Sequence, residues 1–225
     1  TIIGTTADGG RLRVRGSGTT SATTALLVEN SSGNSSFKVL DDKTVDVNFI
    51  KIQDNGGDNV GLGYLNFSSY YSSYGAVVIG NLAGTNLTNG SENVFIGSEA
   101  GLENTDGDSN VALGALAGRL GSGGYANLAI GDRAGRDGLL NGDQNVALGA
   151  WSLYQQSSGN NNVAVGTYSA QDINVAASYN TAIGYWSGRN FNSGSYNIFL
   201  GDEYKALRSG SYNTILGGSI PLSII

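Results

Sequence analysis

The chain of 225 residues has no histidine, no cysteine, no methionine and a single proline. Without histidine it lacks the commonest proton-transfer group near neutral pH and the commonest metal ligand. Without cysteine it has no thiol nucleophile, disulfide or thiolate metal site, and it is compatible with any redox compartment. Neither a Ser-His-Asp nor a Cys-His arrangement can be assembled from these residues. Charge is sparse as well: 12 basic and 18 acidic side chains give a formal net charge of −6. That argues against a polyanion partner, because nucleic-acid affinity comes largely from clustered Lys and Arg, so no nucleic-acid partner is expected. No stretch approaches the ~18 consecutive apolar residues of a membrane span, so no membrane insertion is expected. The first residue is Thr and no basic-then-apolar leader opens the chain; this suggests a fragment or processed product and says little about destination.

What the sequence has in excess is glycine, 36 residues, and it has them at a fixed period. A five-residue unit, Asn-apolar-X-apolar-Gly, starts at residues 59, 76, 93, 110, 127, 145, 162, 180, 197 and 213, in steps of 16 to 18 residues. The first position is Asn in every unit but the one at Ala76, and the fifth is Gly from Gly63 through Gly217. Many units then continue X-X-Ala-Gly, as at Gly97 to Gly101 and Gly114 to Gly118, and most end in a polar stretch such as "SGSY". A chain that resets its pattern this often stacks one small unit on itself.

A helical repeat needs about 33 residues for a helix pair, and 17 residues dense in Gly and Asn cannot provide one. The three-residue apolar core of each unit, such as Val111-Ala112-Leu113, fits a short strand bounded by turn residues. Two such strands and two turns fill one coil. The fold class expected is therefore all-β: a parallel β-solenoid, or β-roll, of about ten 17-residue coils over residues 59–217, with a smaller N-terminal β-rich segment at 1–58 and a tail at 218–225.

Strand alternation separates the three apolar positions. The middle one is Ala in five consecutive coils, Ala112 through Ala182, which suits a cramped interior, while pairs such as Val111/Leu113 and Leu128/Ile130 then face outward. Ten coils at the strand spacing give an apolar stripe ~48 Å long, far more than a monomer normally exposes. The reverse assignment of faces leaves an unpartnered column all the same. A closed ring of parallel chains would cover it, and a homotrimer is expected. The Asn column can form a ladder of stacked amides, and the Gly column can supply positive φ.

The units "NVALGALAG", "NLAIGDRAG", "NTAIGYWSG" and "NVAVGTYSA" resemble the head repeats of trimeric autotransporter adhesins and, more closely, related repeats in phage tail fibres and other trimeric fibre proteins. The adhesin head repeat is usually shorter than 17 residues. The resemblance implies a left-handed β-roll, three of them around one axis, and a role in holding on to a surface. The "LRVRGSGTTSATTALLVENSSGNSSFKVLDDKTVDVNF" segment looks like the β-rich stretches that precede such repeats.

Candidate chemistry is thin. Carboxylate pairs of the kind used in glycoside cleavage could be Asp106 with Asp108, Asp132 with Asp137, or Asp202 with Glu203, yet each lies in a turn where acidic residues are ordinary solubilisers. The oxygen-rich "NTDGDSN" (Asn104 to Asn110) and "DNGGD" (Asp54 to Asp58) match neither calcium-loop pattern. No enzyme activity, metal or cofactor is expected. Arg11, Arg13 and Arg15 form one cationic strand face, read as solvated, and the Tyr-rich "YLNFSSYYSSYGAVV" (Tyr64 to Val78) reads as a cap or a contact loop. The informative deviation is the column two residues after each Gly: Leu65, Leu82, Glu99, Leu116, Arg133, Trp151, Tyr168, Trp186 and Glu203. Facing solvent, Trp151, Tyr168 and Trp186 with neighbouring Tyr185 would make a receptor strip for sugar rings or a protein; facing inward they would be enlarged core, the reading favoured by Leu at three other coils.

These readings converge on attachment: a structural and adhesive fibre segment, homotrimeric and extracellular, that binds a host-surface glycan or protein receptor as part of a virion tail fibre. The alternatives are the head of a bacterial trimeric adhesin at the cell surface, or a spacer whose receptor site lies elsewhere.

Overall fold

A computed structural model of the chain describes residues 24–29, 35–40, 45–46, 59–62, 73–155, 158–172, 177–191, 193–202 and 209–217. The expectations placed on Arg11, Arg13, Arg15, Glu203, the Asp54–Asp58 loop, most of the Tyr64–Val78 stretch and the 218–225 tail lie outside these residues. The chain divides into two compact units, residues 1–50 and 51–225. In the first, β1 (Thr24–Glu29) pairs antiparallel with β2 (Ser35–Leu40), and β2 with β3 (Val45–Asp46).

The second unit is a parallel β-solenoid. Ten three-residue strands, from β4 (Val60–Leu62) to β13 (Thr214–Leu216), hydrogen-bond in sequence order into one sheet. Their register has no slip: Val111 lies beside Leu128, Ala112 beside Ala129 and Leu113 beside Ile130. Columns in the sequence are therefore columns in space.

The middle position of each strand points inward. Val78, Phe95, Ala112, Ala129, Ala147, Ala164, Ala182 and Phe199 are all buried, while first and third positions are half-buried or exposed, with Leu62 at 41% and Ile183 at 42%. The Ala column is the core and the larger aliphatics form an outer apolar sheet face. The other half of each coil completes the interior with Ala83, Ala100, Ala117 and Ala134, joined by Leu87, Leu139, Leu153 and Phe191. Size is balanced locally. Where Phe95 replaces Ala, Gly101 stands beside it, and a Cβ on Gly101 would come within 2.6 Å of the Phe95 ring.

The expectation of two strands per coil is not met: among the described residues each coil of the solenoid contributes one strand, and its second half is built of turns. The reason is local backbone conformation. The residue two after each Gly has left-handed φ (Leu82, Glu99, Leu116, Arg133, Trp151, Tyr168, Trp186), as does the residue before each Asn (Glu92, Ser109, Ala126, Gln144, Asn161, Tyr179, Tyr196, Tyr212). An extended segment cannot pass through such points. Each costs an L-residue about 1–2 kcal/mol, offset by hydrogen bonds between coils that continue around the turns. Leu116 N–H donates to Ser98 O at 2.8 Å, and Trp151 N–H to Asp132 O at 2.9 Å.

The Asn positions form the expected ladder. Asn127 donates from Nδ2 to Asn110 Oδ1 at 3.0 Å and to Gly142 O at 2.6 Å, and its own Oδ1 accepts from Asn145 N at 2.9 Å. The same contacts recur from Asn110 to Asn213. At Ala76 the ladder has no amide to offer the next coil.

One core position breaks the pattern. Leu87, Asn104, Leu139 and Phe191 occupy equivalent places, each N–H bonding back to a preceding Gly carbonyl at 3.1–3.3 Å. Asn104 is fully buried, and neither amide atom has a hydrogen-bond partner among the described residues. An unpaired buried polar group costs about 1–3 kcal/mol. Asn104→Leu is therefore expected to raise the thermal midpoint by several degrees in a circular-dichroism melt; a lower midpoint would refute the assignment of Asn104 as an uncompensated core amide.

Candidate functional site

The aromatic column occupies the corner just beyond the outer sheet face, carried there by its position two residues after each strand-ending Gly. The inward reading is overturned: Trp151, Tyr168 and Trp186 are half-buried and Tyr185 is half-exposed, while the interior at this level is filled by Ser152, Ser169 and Ser187 one residue further on. The left-handed φ of the column, 57–59° at these three residues, turns their side chains out of the roll. Ser169 and Ser187, pointing inward, donate instead to Ala182 O and Phe199 O of the next coil, at 2.8 and 3.1 Å.

The four predicted residues come together. Ring centroids of Trp151 and Tyr168 lie 6.0 Å apart, as do those of Tyr168 and Trp186, and Tyr185 stacks on Trp186 at 4.9 Å and 16°. Reading aromatic letters alone missed the cations between the rings. Arg133 lies 4.8 Å from the Trp151 ring, Arg136 5.5 Å from Tyr154, and Arg189 4.5 Å from Trp186 and 5.7 Å from Tyr168. The strip is a row of neighbouring aromatic rings with guanidinium groups laid against it. Its signal was available, since Arg133 stands in the same column as Trp151 one coil earlier.

A second column was passed over as a polar turn. Tyr179, Tyr196 and Tyr212 precede the Asn in three consecutive coils and stack with nearly parallel rings, centroids 4.8 and 5.0 Å apart. Both faces of the middle ring, Tyr196, are covered by its neighbours, while Tyr212 at the end of the stack is 78% exposed.

Asp106 and Asp108 staple coils together, while Asp132 and Asp137 pair within their own coil. Asp106 Oδ1 accepts from Asn89 Nδ2 at 2.8 Å and Thr88 Oγ1 at 3.3 Å, and Asp108 accepts from Ser91 N at 2.7 Å. Asp132 pairs with Arg133 and Asp137 with Arg136. Asp137 also borders a polar cleft shared with Glu103, Ser122 and Asn141. Among the described residues no group of three or more Asp or Glu side chains is placed to hold a metal ion. Burial pushes the Asp172 carboxyl above its ordinary range, opposed by nearby Arg189. No helix in the described residues is long and apolar enough to cross a membrane.

Compared with known proteins, the chain matches no protein-family model, no curated protein and no solved structure. Its class, a parallel β-solenoid repeat protein, rests on the fold itself.

Proposed function

We propose that this chain is a structural and adhesive fibre segment in which three copies bundle around one axis, and that it serves attachment to a host cell surface as part of a virion tail fibre. The observation that carries this is the outer sheet face. Ten ranks of Val, Leu and Ile, interrupted only by Thr181 and Thr214, leave two aliphatic rows uncovered within the chain. A continuous apolar surface of that length marks an interface. The unslipped register makes it straight enough for a parallel copy to lie along its whole length, and the likeness of the repeats to trimeric fibres favours three copies. A rod of coils stacked by a continuous run of backbone hydrogen bonds suits the transmission of a binding site away from a particle.

Light scattering under native conditions is expected to give three times the chain mass, and a charge placed in the face, such as Ile130→Glu, is expected to shift the mass toward one chain. A monomeric mass for the parent chain overturns the bundle. Attachment is tested by binding of the labelled chain to a panel of bacterial cells; blank binding throughout, with binding by a longer fibre, would reduce this segment to a spacer.

A further inference from the structure

Four arginines stand along the aromatic edge, and they are not equivalent. Arg119 is paired with Glu99 at 2.6 Å, Arg133 with Asp132 at 2.5 Å and Arg136 with Asp137 at 2.7 Å. Arg189 has no carboxylate within 4.0 Å among the described residues. Its Nε donates to Gln171 Oε1 at 2.9 Å, and the guanidinium plane is held against Trp186 and Tyr168 at 4.5 and 5.7 Å. The two terminal nitrogens of the fork have no protein acceptor among the described residues, although the rest of the group is fixed. Beside it, the buried indole Nε1–H of Trp186 also has no hydrogen-bond partner among those residues. Tyr185, 50% exposed, stacks on that indole at the surface.

A guanidinium immobilised by stacking and one hydrogen bond has already lost the side-chain freedom that binding would otherwise remove, and its planar fork matches a carboxylate in two parallel hydrogen bonds. The half-exposed Tyr185 ring, stacked on the same indole that Arg189 covers, offers an apolar surface with a polar rim, the shape that the C–H face of a pyranose covers. The chain carries a net charge of −6, and although Asp172 acts on Arg189 from beyond ion-pairing distance, the open fork of an ordered guanidinium is a local exception that selects its ligand by charge. We propose that Arg189, with Trp186 and Tyr185, is a recognition site for a carboxylate-bearing sugar of a surface glycan, the carboxylate lying in the Arg189 fork and the sugar ring against Tyr185. This deepens the attachment reading and rests on it.

The test titrates the full chain with polygalacturonate, a carboxylated sugar polymer, against neutral dextran and against dextran sulfate as a polymer of equal charge sign without carboxylates. Polygalacturonate is expected to bind and dextran not to. Arg189→Gln is expected to lose at least about tenfold in affinity, Arg189→Lys less, and Arg119→Gln, whose guanidinium is already paired, to stay within about twofold. Should Arg189→Gln fail to fold, Tyr185→Ala, at a half-exposed ring, is expected to weaken polygalacturonate binding several-fold with the melt unchanged. The inference is overturned if dextran binds as well as polygalacturonate, if Arg119→Gln loses as much as Arg189→Gln, or if dextran sulfate binds more tightly than polygalacturonate. Cell attachment that survives Arg189→Gln also overturns it and leaves the attachment reading standing; a parent chain that attaches to no cell overturns the attachment reading.

Discussion

Gly114→Ala is expected to destabilise the solenoid by about 3 kcal/mol or more, because two independent penalties fall on one methyl group. Gly114 has φ of +133°, a region closed to L-residues, and a Cβ there would lie 2.6 Å from Gly131 O and 2.7 Å from Gly131 C in the next coil. The clash is with backbone, which cannot swing away as a side chain would. Relief requires the coils to part, yet Gly114 N–H donates to Ile96 O at 2.8 Å and Gly131 N–H to Leu113 O at 2.9 Å, so parting them breaks the bonds that hold the stack. The neighbouring Ala115, exposed at the corner, is the comparison: Ala115→Ser should leave the melt within about 0.5 kcal/mol of the parent. If the two variants melt together, the glycine column is not a stacking constraint.

Asn127→Asp carries the second large effect. The substitution keeps the size of the side chain and removes both amide donors, so a carboxylate oxygen would face Gly142 O and Asn110 Oδ1 where Nδ2 now donates at 2.6 and 3.0 Å. Asn127 is almost fully buried, and although one carboxylate oxygen would still accept from Asn145 N at 2.9 Å, a buried charge whose other oxygen faces two acceptors costs about 3 kcal/mol. The deficit should shrink in acid. Desolvation and the facing acceptors raise the folded-state pKa of the new carboxyl above its unfolded value, so the folded state binds the proton more readily and the variant regains stability as pH falls through that raised value. Asn127→Ala should lose less and without the pH dependence. A pH-independent loss in Asn127→Asp equal to that in Asn127→Ala would mean that the ladder acts through shape alone.

Both positions were visible in the letters, because a repeat read at period 17 aligns every Gly and every Asn before any coordinates exist. The facing of the strand was half legible: a column of Ala between columns of Val, Leu and Ile favours an Ala interior without excluding the reverse, and the burial of Ala112 through Ala182 decided it. What could not be read was the second half of the coil. Nothing in "ALAGRLGSGG" announces that Leu116 has left-handed φ, since that conformation is disfavoured for leucine and is imposed by hydrogen bonds to the coils on either side. The misreading of the aromatic column follows from the same cause. Leu82 and Leu116 suggested core, but the left-handed corner at this position, two residues after each Gly, turns its side chain outward, so Trp151, Tyr168 and Trp186 are half-buried at the edge of the roll rather than in its interior. The tyrosine ladder at Tyr179, Tyr196 and Tyr212 was legible in principle, three letters in one column, and was obscured by the serines and glycines around it.

The sequence by itself determined the repeat, its length, the parallel stacking and the division of each strand into an inner and an outer side, because these depend only on periodicity and on which residues must avoid water. The tertiary structure alone decided, among the described residues, that each coil has one strand, that Asn104 is buried without a hydrogen-bond partner, and that Arg189 lies among rings without the close ion pair its three companions make. Those facts depend on which groups from coils 17 or 18 residues apart arrive beside one another, and on backbone angles that a residue adopts only because the coils above and below hold it there.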